Sequence, residues 1–431
     1  MAPKKRFLKV SMGGMETVAG MAVARTCRLG VTDFVYLVEK PTKSTKDVIT
    51  GRNTNAGYDI DTIDYSAELP TNLVANRSIG TLLHSLMGKL SPPSQVGCAL
   101  TIRYAGNSRS CHLVVSPIAK TIAAYVGDLG KEVLDGSFGI EGVLDLTGMT
   151  LGPLAVEIGN FEGYEAAVLY GSPDVDATTP VGVMSSQAKD RPVMVHFSSQ
   201  NSGVYLREYG TNMTNTENPT FSIQMDNVGD NQLGGGAVVD SASLSADLKA
   251  KAKATWSLML LSVSGAQEPT SLELIPSDLD VMKFNEGETH LGGNRHCWVK
   301  NVTLTLANNH SEDDGYCQGS LSKARHVRGQ FSVTGGVTLA VSDIGGQDSS
   351  EAERKKNLSN EITSVQLRFT GRQLAEGVRS MILIDLPTVQ YTEDSKSASD
   401  NALEQSLSFE AIDIASYDEP VRIHMLTGDA E

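Results

Sequence analysis

The chain has 431 residues, with 36 Lys+Arg against 51 Asp+Glu, a formal net charge of −15. Hydrophobic residues at 40%, charged residues at 20% and 41 glycines describe a turn-rich folded protein of two or three domains, neither disordered nor a charged coiled coil. No apolar run reaches the ~18 residues of a membrane span, and the acidic balance is a poor match to a protein that grips nucleic acid through phosphates.

In chain order, the basic stretch at 1–6 lacks a following apolar run, so no signal peptide is expected. Cys27, Cys98, Cys111, Cys297 and Cys317 are odd in number and widely spaced, which predicts free thiols in a reducing cytosol. Residues 48–69 read as acidic extended segments. A helix follows over 78–90, with Ile79, Leu82, Leu83 and Leu86 on one stripe and Asn76 or Ser78 as cap. Strands are predicted at 99–104 and 112–116. Short β pieces at 121–126, 193–197, 204–208 and 221–225 surround a helix at 150–160. Gly234-Gly235-Gly236 reads as the most flexible point, and the Ala- and Lys-rich 243–254 as a linker helix.

Beyond it, 298–306 alternates, with Trp298, Val302, Leu304 and Leu306 on one face. Phe331 to Val341, interrupted by Gly335-Gly336, reads as a hairpin-like or bulged pair. A charged helix at 350–358 precedes strands at 364–370, 381–386, 407–414 and 421–426. Strand, strand, helix, strand, strand thus occurs near both ends. The division this suggests is a first domain at 1–116, open to completion by part of the adjoining segment, an insertion or elaboration at 117–235, a linker at 236–256 and a second domain at 257–431.

Sites of chemistry are sparse. His290, His296, Cys297, His310, Cys317 and His326 form the densest set of metal-ligand types, but no CxxC or HxxxH pair is present, so ordinary loop and core roles are preferred. Ser320-x-x-Lys323 and Ser186-x-x-Lys189 match the pattern of serine acyl enzymes without the accompanying motifs. Asp226, Asn227, Asp230 and Asn231 lack EF-hand spacing. No catalysis, metal or cofactor is expected. The run 57–68 is more informative. If its register is unbroken, Asp59 and Asp61 share one strand face and Asp64, Ser66 and Glu68 the other, as either a solvated hairpin or a deliberately anionic surface.

The opening Gly14-Met15-Glu16-Thr17-Val18-Ala19-Gly20-Met21-Ala22-Val23-Ala24 resembles that of the major tail tube proteins of long, non-contractile bacteriophage tails. So does the strand 299–309 ending in Asn308-Asn309, the run 329–335 and the closing stretches 409–411 and 420–425. The resemblance implies a mostly β fold: β-sandwich tube domains, each flanked by an α-helix, whose sheets close into a barrel on oligomerisation, with a small α+β insertion. It implies a structural virion protein of the tail, assembled in the host cytoplasm, whose rings stack into a conduit for DNA ejection. Its partners would be itself, the tail terminator, tape measure and tail-tip proteins, with double-stranded DNA passing unbound and no membrane involved. A ring of three duplicated chains is preferred over six, and arms at 39–76 and 1–12 would link rings. Candidates for an acidic inner wall are Asp59, Asp61, Asp64, Glu68, Glu410 and Asp413. The alternative is another virion β-protein, such as a capsid decoration or fibre-associated component.

Overall fold

The computed structural model describes residues 8–45, 58–181, 185–199, 202–211, 217–227, 230–265, 268–341, 350–399, 402–413 and 419–430. The expected arm at 1–12 therefore lies largely outside the described residues, as does 46–57 of the arm at 39–76.

Strands β1 (Lys9–Met15) and β2 (Arg25–Leu29) pair antiparallel, and β3 (Val38–Thr45) and β4 (Tyr58–Asn72) form a long hairpin. Helix α1 (Arg77–Met87) starts where the Asn76 side chain accepts the Ile79 N–H and stops at Gly88, whose φ of 85° a side chain would resist. It buries Ile79, Leu82, Leu83 and Leu86.

The chain then leaves through β5 (Gly88–Leu90), β6 (Ser94–Tyr104), β7 (Ser110–Ser116), β8 (Thr121–Gly127), β9 (Val133–Leu134) and β10 (Val143–Asp145). Helix α2 (Leu151–Gly159) follows, and β11 (Tyr164–Tyr170), β12 (Pro180–Val181), β13 (Ser185–Gln187), β14 (Val193–Ser198) and β15 (Tyr205–Thr211) bring it back. This excursion has a core of its own, in which Leu100, Ile102, Leu113, Ile122, Leu154 and Phe197 are fully buried.

Strands β16 (Phe221–Asn227), β17 (Asp230–Asp247), β18 (Lys253–Leu260) and β19 (Ser262–Gly265) return to the first set. The predicted linker helix is thus absent. Residues 243–254 finish one strand, turn and begin the next, because Leu244, Ala246, Ala252 and Ala254 alternate into the core and cross-strand pairing outweighs the helical propensity of Ala, Leu and Lys. The triglycine is a buried corner. Gly236 has a φ of 62°, and a Cβ there would meet Leu261 at 2.7 Å.

The C-terminal part comprises β20 (Gly287–Leu291), β21 (Asn294–Arg295), β22 (Val299–Ala307) and β23 (Ser332–Ala340). Helix α3 (Ser350–Leu358) precedes β24 (Thr363–Ala375), β25 (Val378–Ser399), β26 (Ala402–Ala411) and β27 (Arg422–Thr427). The predicted hairpin at 331–341 is one unbroken strand. Gly335 and Gly336 do not turn the chain; a Cβ on Gly335 would strike the Phe409 ring at 2.4 Å.

One pairing scheme occurs twice. β1 pairs with β2 and β16, as β20 pairs with β21 and β24. The first half of β17 pairs with β16 and β19 and its second half with β18; the first half of β25 pairs with β24 and β27 and its second half with β26. β18 lies beside β4, and β26 beside β23. A register shift falls between Val239 and Ser241 on β17 and between Tyr391 and Glu393 on β25. In each set the helix follows the long hairpin, β3–β4 or β22–β23.

The second half of β17, pairing with β22, joins the two sets into one antiparallel sheet in the order β3-β4-β18-β17-β22-β23-β26-β25, with the second half of β25 at its far edge. Their first halves belong to the strands packed behind it, across a continuous apolar core that also takes α1. The excursion joins this rear layer through β15, which pairs with β27. Among the described residues, none of the pairings that β5 to β15 make involves the eight front strands.

Candidate assembly surface

The front sheet has one face in the core and one outside. Ala242, Leu244 and Ala246 point inward on β17, while Ser241, Ser243 and Ser245 point the other way. Registers carry this alternation across the sheet: Ser243 stands beside Thr255 on one side and Thr305 on the other, and Thr305 beside Thr334. The outer face is thus paved with small hydroxyl side chains. The clean alternation in 241–247 was the signal for this face, masked by the Ala- and Lys-rich composition that followed it.

Acidic residues punctuate the paving. Glu68 stands across from Ser257, and Glu410 across from Thr334 and Gln390 on the same face; both are exposed. Asp64 shares that face but accepts the Tyr316 hydroxyl at 2.6 Å and lies 3.6 Å from Lys323 Nζ. Glu404 is paired with Lys300 at 2.5 Å. The register of 57–68 is broken, contrary to the simplest expectation. A shift between Thr42 and Lys43 puts Asp59 opposite Ser44, and so on the face of Thr62 and Asp64. Asp61, in the bulge, accepts the Ser44 hydroxyl at 2.9 Å. Asp413 lies past the end of β26, exposed and outside the sheet. Of the six sequence candidates the structure therefore brings Asp59, Asp64, Glu68 and Glu410 onto one face.

Both flanks of the sheet are open among the described residues. β3 pairs only with β4, and residues 390–399 of β25 pair only with β26. Pro41, Lys40 and Lys43 occupy one edge, and Glu393 and Lys396 the other, so charge and proline blunt what would otherwise be adhesive strands. The exposed Phe34 and Tyr36 sit just ahead of β3 with ring centroids 6.2 Å apart.

The motifs of the opening and of the Asn-Asn strand acquire structural roles. The Glu16 carboxylate accepts from Gly20 N–H at 2.8 Å, Thr220 Oγ1 at 3.0 Å, Ser222 Oγ at 2.7 Å and Gly236 N–H at 3.1 Å. It ties the loop after β1 to the corner of β17. Asn308, fully buried, donates to Leu86 O and Val239 O, each at 2.9 Å, closing the C-terminus of α1 onto the sheet.

The weaker chemical patterns resolve into structure. Among the described residues no three His, Cys, Asp or Glu side chains converge as metal ligands. His290 sits near Glu288 and His296 near Glu353, while His310 and His326 flank Asp240; Cys297 and Cys317 are exposed. His326 is pushed down to about 4, chiefly by burial. Ser320 Oγ donates to Ser322 O and Lys323 Nζ to Ser311 O, so the pair is not a nucleophile and base. Lys189 donates to Gly106 O; the Ser186 side chain lies outside the described residues. Asp226 accepts the Thr270 N–H at 2.7 Å and is nearly fully buried.

No curated protein matches this sequence. The family model described as phage tail tube protein matches residues 10–411, which spans the front sheet, the rear strands other than β27, α1, α3 and the excursion. The chain belongs to the phage tail tube protein family and is a structural component of the virion tail.

Proposed function

We propose that three copies close their front sheets into a ring, and that stacked rings form the conduit through which the genome leaves the virion. The observation that carries this is the continuous eight-stranded antiparallel sheet with a hydroxyl-paved face and two open flanks. An even number of antiparallel strands per copy lets the last strand of one chain lie antiparallel to the first of the next. Eight strands closed alone enclose only side chains, and about sixteen leave a channel for small solutes. A double helix is thicker than such solutes, which favours 3 × 8 = 24 strands.

On this reading the wall presented to DNA carries Ser and Thr with Glu68, Glu410, Asp59 and Asp64 among them. DNA bears about one negative charge per 1.7 Å, so such a wall, on which the acids outnumber the exposed Lys40 and Lys253, repels it weakly from all sides. Two tube domains make up each chain: residues 9–87 with 221–265, and residues 287–427. Residues 88–211 hang outside the ring, since β15 attaches them to the rear layer. The tail terminator, tape measure and tail-tip proteins cap, fill and nucleate the tube, and assembly takes place in the host cytoplasm.

Negative-stain electron microscopy of concentrated protein, with a tail-tip nucleus added, tests the reading. Hollow tubes whose end-on averages show three outer lobes support it. Rings that never stack would point to a decoration protein instead.

A further inference from the structure

The contact between the two sheet halves inside the chain doubles as a template for the contact between chains. We propose that Val38–Lys40 of one copy pairs with 393–395 of the next in the register of β17 on β22, placing Lys40 opposite Glu393. The inference rests on the proposed ring.

The registers fix the correspondence. Ser241, first residue past the β17 shift, opposes Ser257, which opposes Glu68; Glu393, first past the β25 shift, opposes Ser408, which opposes Gly336. Ser241 and Glu393 are therefore equivalent, and so are Glu68 and Gly336. Counting from Glu68 and Gly336, Ser66 matches Thr334 and Asp64 matches Ser332. Val38 opposes Ser66 and Thr305 opposes Thr334; Lys40 opposes Asp64 and Ala307 opposes Ser332. Lys40 is thus the counterpart of Ala307. Inside the chain Ser241 opposes Ala307, so between chains Glu393 opposes Lys40, and Ser395 opposes Val38.

Two further observations agree with this register. Asn308 donates its N–H to Asp240 O at 2.7 Å in the internal contact, and its counterpart at the open edge is Pro41, which has no N–H. The ladder between copies therefore ends at Lys40, where the hairpin runs on past the sheet. Ser241 and Ala307 lie between the hydrogen-bonded positions Asp240–Asn308 and Ala242–Leu306, so Lys40 and Glu393 form a close, non-hydrogen-bonded pair with Cα atoms about 4.5 Å apart. Both are exposed and of opposite sign. On the other face Glu39 comes against Asp394, with Lys396 one diagonal step away. The exposed Tyr36, upstream, is covered by the neighbour's 397 and 398.

The test is disulfide trapping in the full chain carrying Cys297→Ser and Cys317→Ser. Lys40→Cys with Glu393→Cys is expected to convert assembled protein under mild oxidation into covalent dimers and trimers and nothing larger, since that spacing fits a disulfide. Lys40→Cys with Ser397→Cys, four residues out of register, is expected to give none. Tubes of the parent protein with trapping only in the displaced pair, or in neither, would overturn the register while leaving the ring standing. A parent that builds no tubes on a tail-tip nucleus would remove the ring and this contact together. Charge exchange checks the pair without cysteines. Lys40→Glu and Glu393→Lys each raise the concentration at which half the protein sediments about threefold or more, and the double exchange restores it. A double variant no better than the singles would overturn the pairing.

Discussion

The two sets of strands share one pairing scheme but hold their helices by opposite chemistry. α1 presses Ile79, Leu82, Leu83 and Leu86 into the apolar core and is capped at both ends. α3 has the sequence SEAERKKNL and buries Ser350 and Glu353 alone. Glu353, with no exposed surface, accepts the Tyr391 hydroxyl at 2.5 Å and Lys356 Nζ at 2.8 Å, and lies 3.7 Å from His296. The scheme is thus carried by strand pairing, and the helix position tolerates either an oily or an ionic anchor. The second set is also the one stitched to the excursion by polar groups. Arg191 pairs with Asp385, and His196 faces Tyr170 and His424 in full burial.

The contrast can be broken hardest through the apolar anchor. Leu82→Ala empties a fully buried site and is expected to cost about 4 kcal/mol in reversible unfolding. Ala substitution at the exposed Leu358 of α3 is expected to cost almost nothing.

Acid sharpens it next. Burial pushes His196 down to about 4 and holds His424 well below the usual histidine range. A lowered folded value means the unfolded chain takes the extra proton first. Stability is therefore complete above about pH 6.5 and declines as pH falls to 4, by about 3 kcal/mol for His196. His196→Gln should flatten that slope in thermal melts across this range.

Glu353 supplies a third handle. Burial alone would raise its carboxyl, but the His296 ring, Lys356 and the Tyr391 hydroxyl outweigh that and hold it below the usual range. Its contribution is present above about pH 4.5 and is lost as pH falls through the folded value. Glu353→Gln is expected to cost about 2 kcal/mol at pH 7. Hydrogen exchange should then show α3 opening while α1 stays protected.

The smallest effect on stability belongs to the front face. Glu68→Lys with Glu410→Lys is expected to change unfolding by less than about 0.5 kcal/mol, since both are exposed. The same variant is expected to slow DNA release from assembled virions, an effect that high salt should relieve. Unchanged ejection would argue against a wall that works by repulsion.

Much of this was legible in the residues. Period-two alternation over 302–306 and the capped apolar stripe after Asn76 located β22 and α1, because side-chain burial imposes those spacings locally; Trp298, expected on the core face, is exposed, and a register shift before Asn301 buries Val299 in its place. The short charged helix at 350–358 was legible from composition, but its anchor was not. Nothing local says that Glu353 will meet Tyr391 some forty residues on.

The sequence by itself determined the strand class of β22, β24 and β26, the three helices and the family. Tertiary structure alone decided that 243–254 is a strand pair, that the triglycine is a buried corner and that the chain departs into its excursion at Gly88 and returns after Thr211. It also decided which acids share a face, through one bulge at Asp61, opposite the step from Thr42 to Lys43. The reason is common to all four. Each depends on which distant strand lies alongside, and one residue of slip, invisible locally, exchanges the two faces of a sheet.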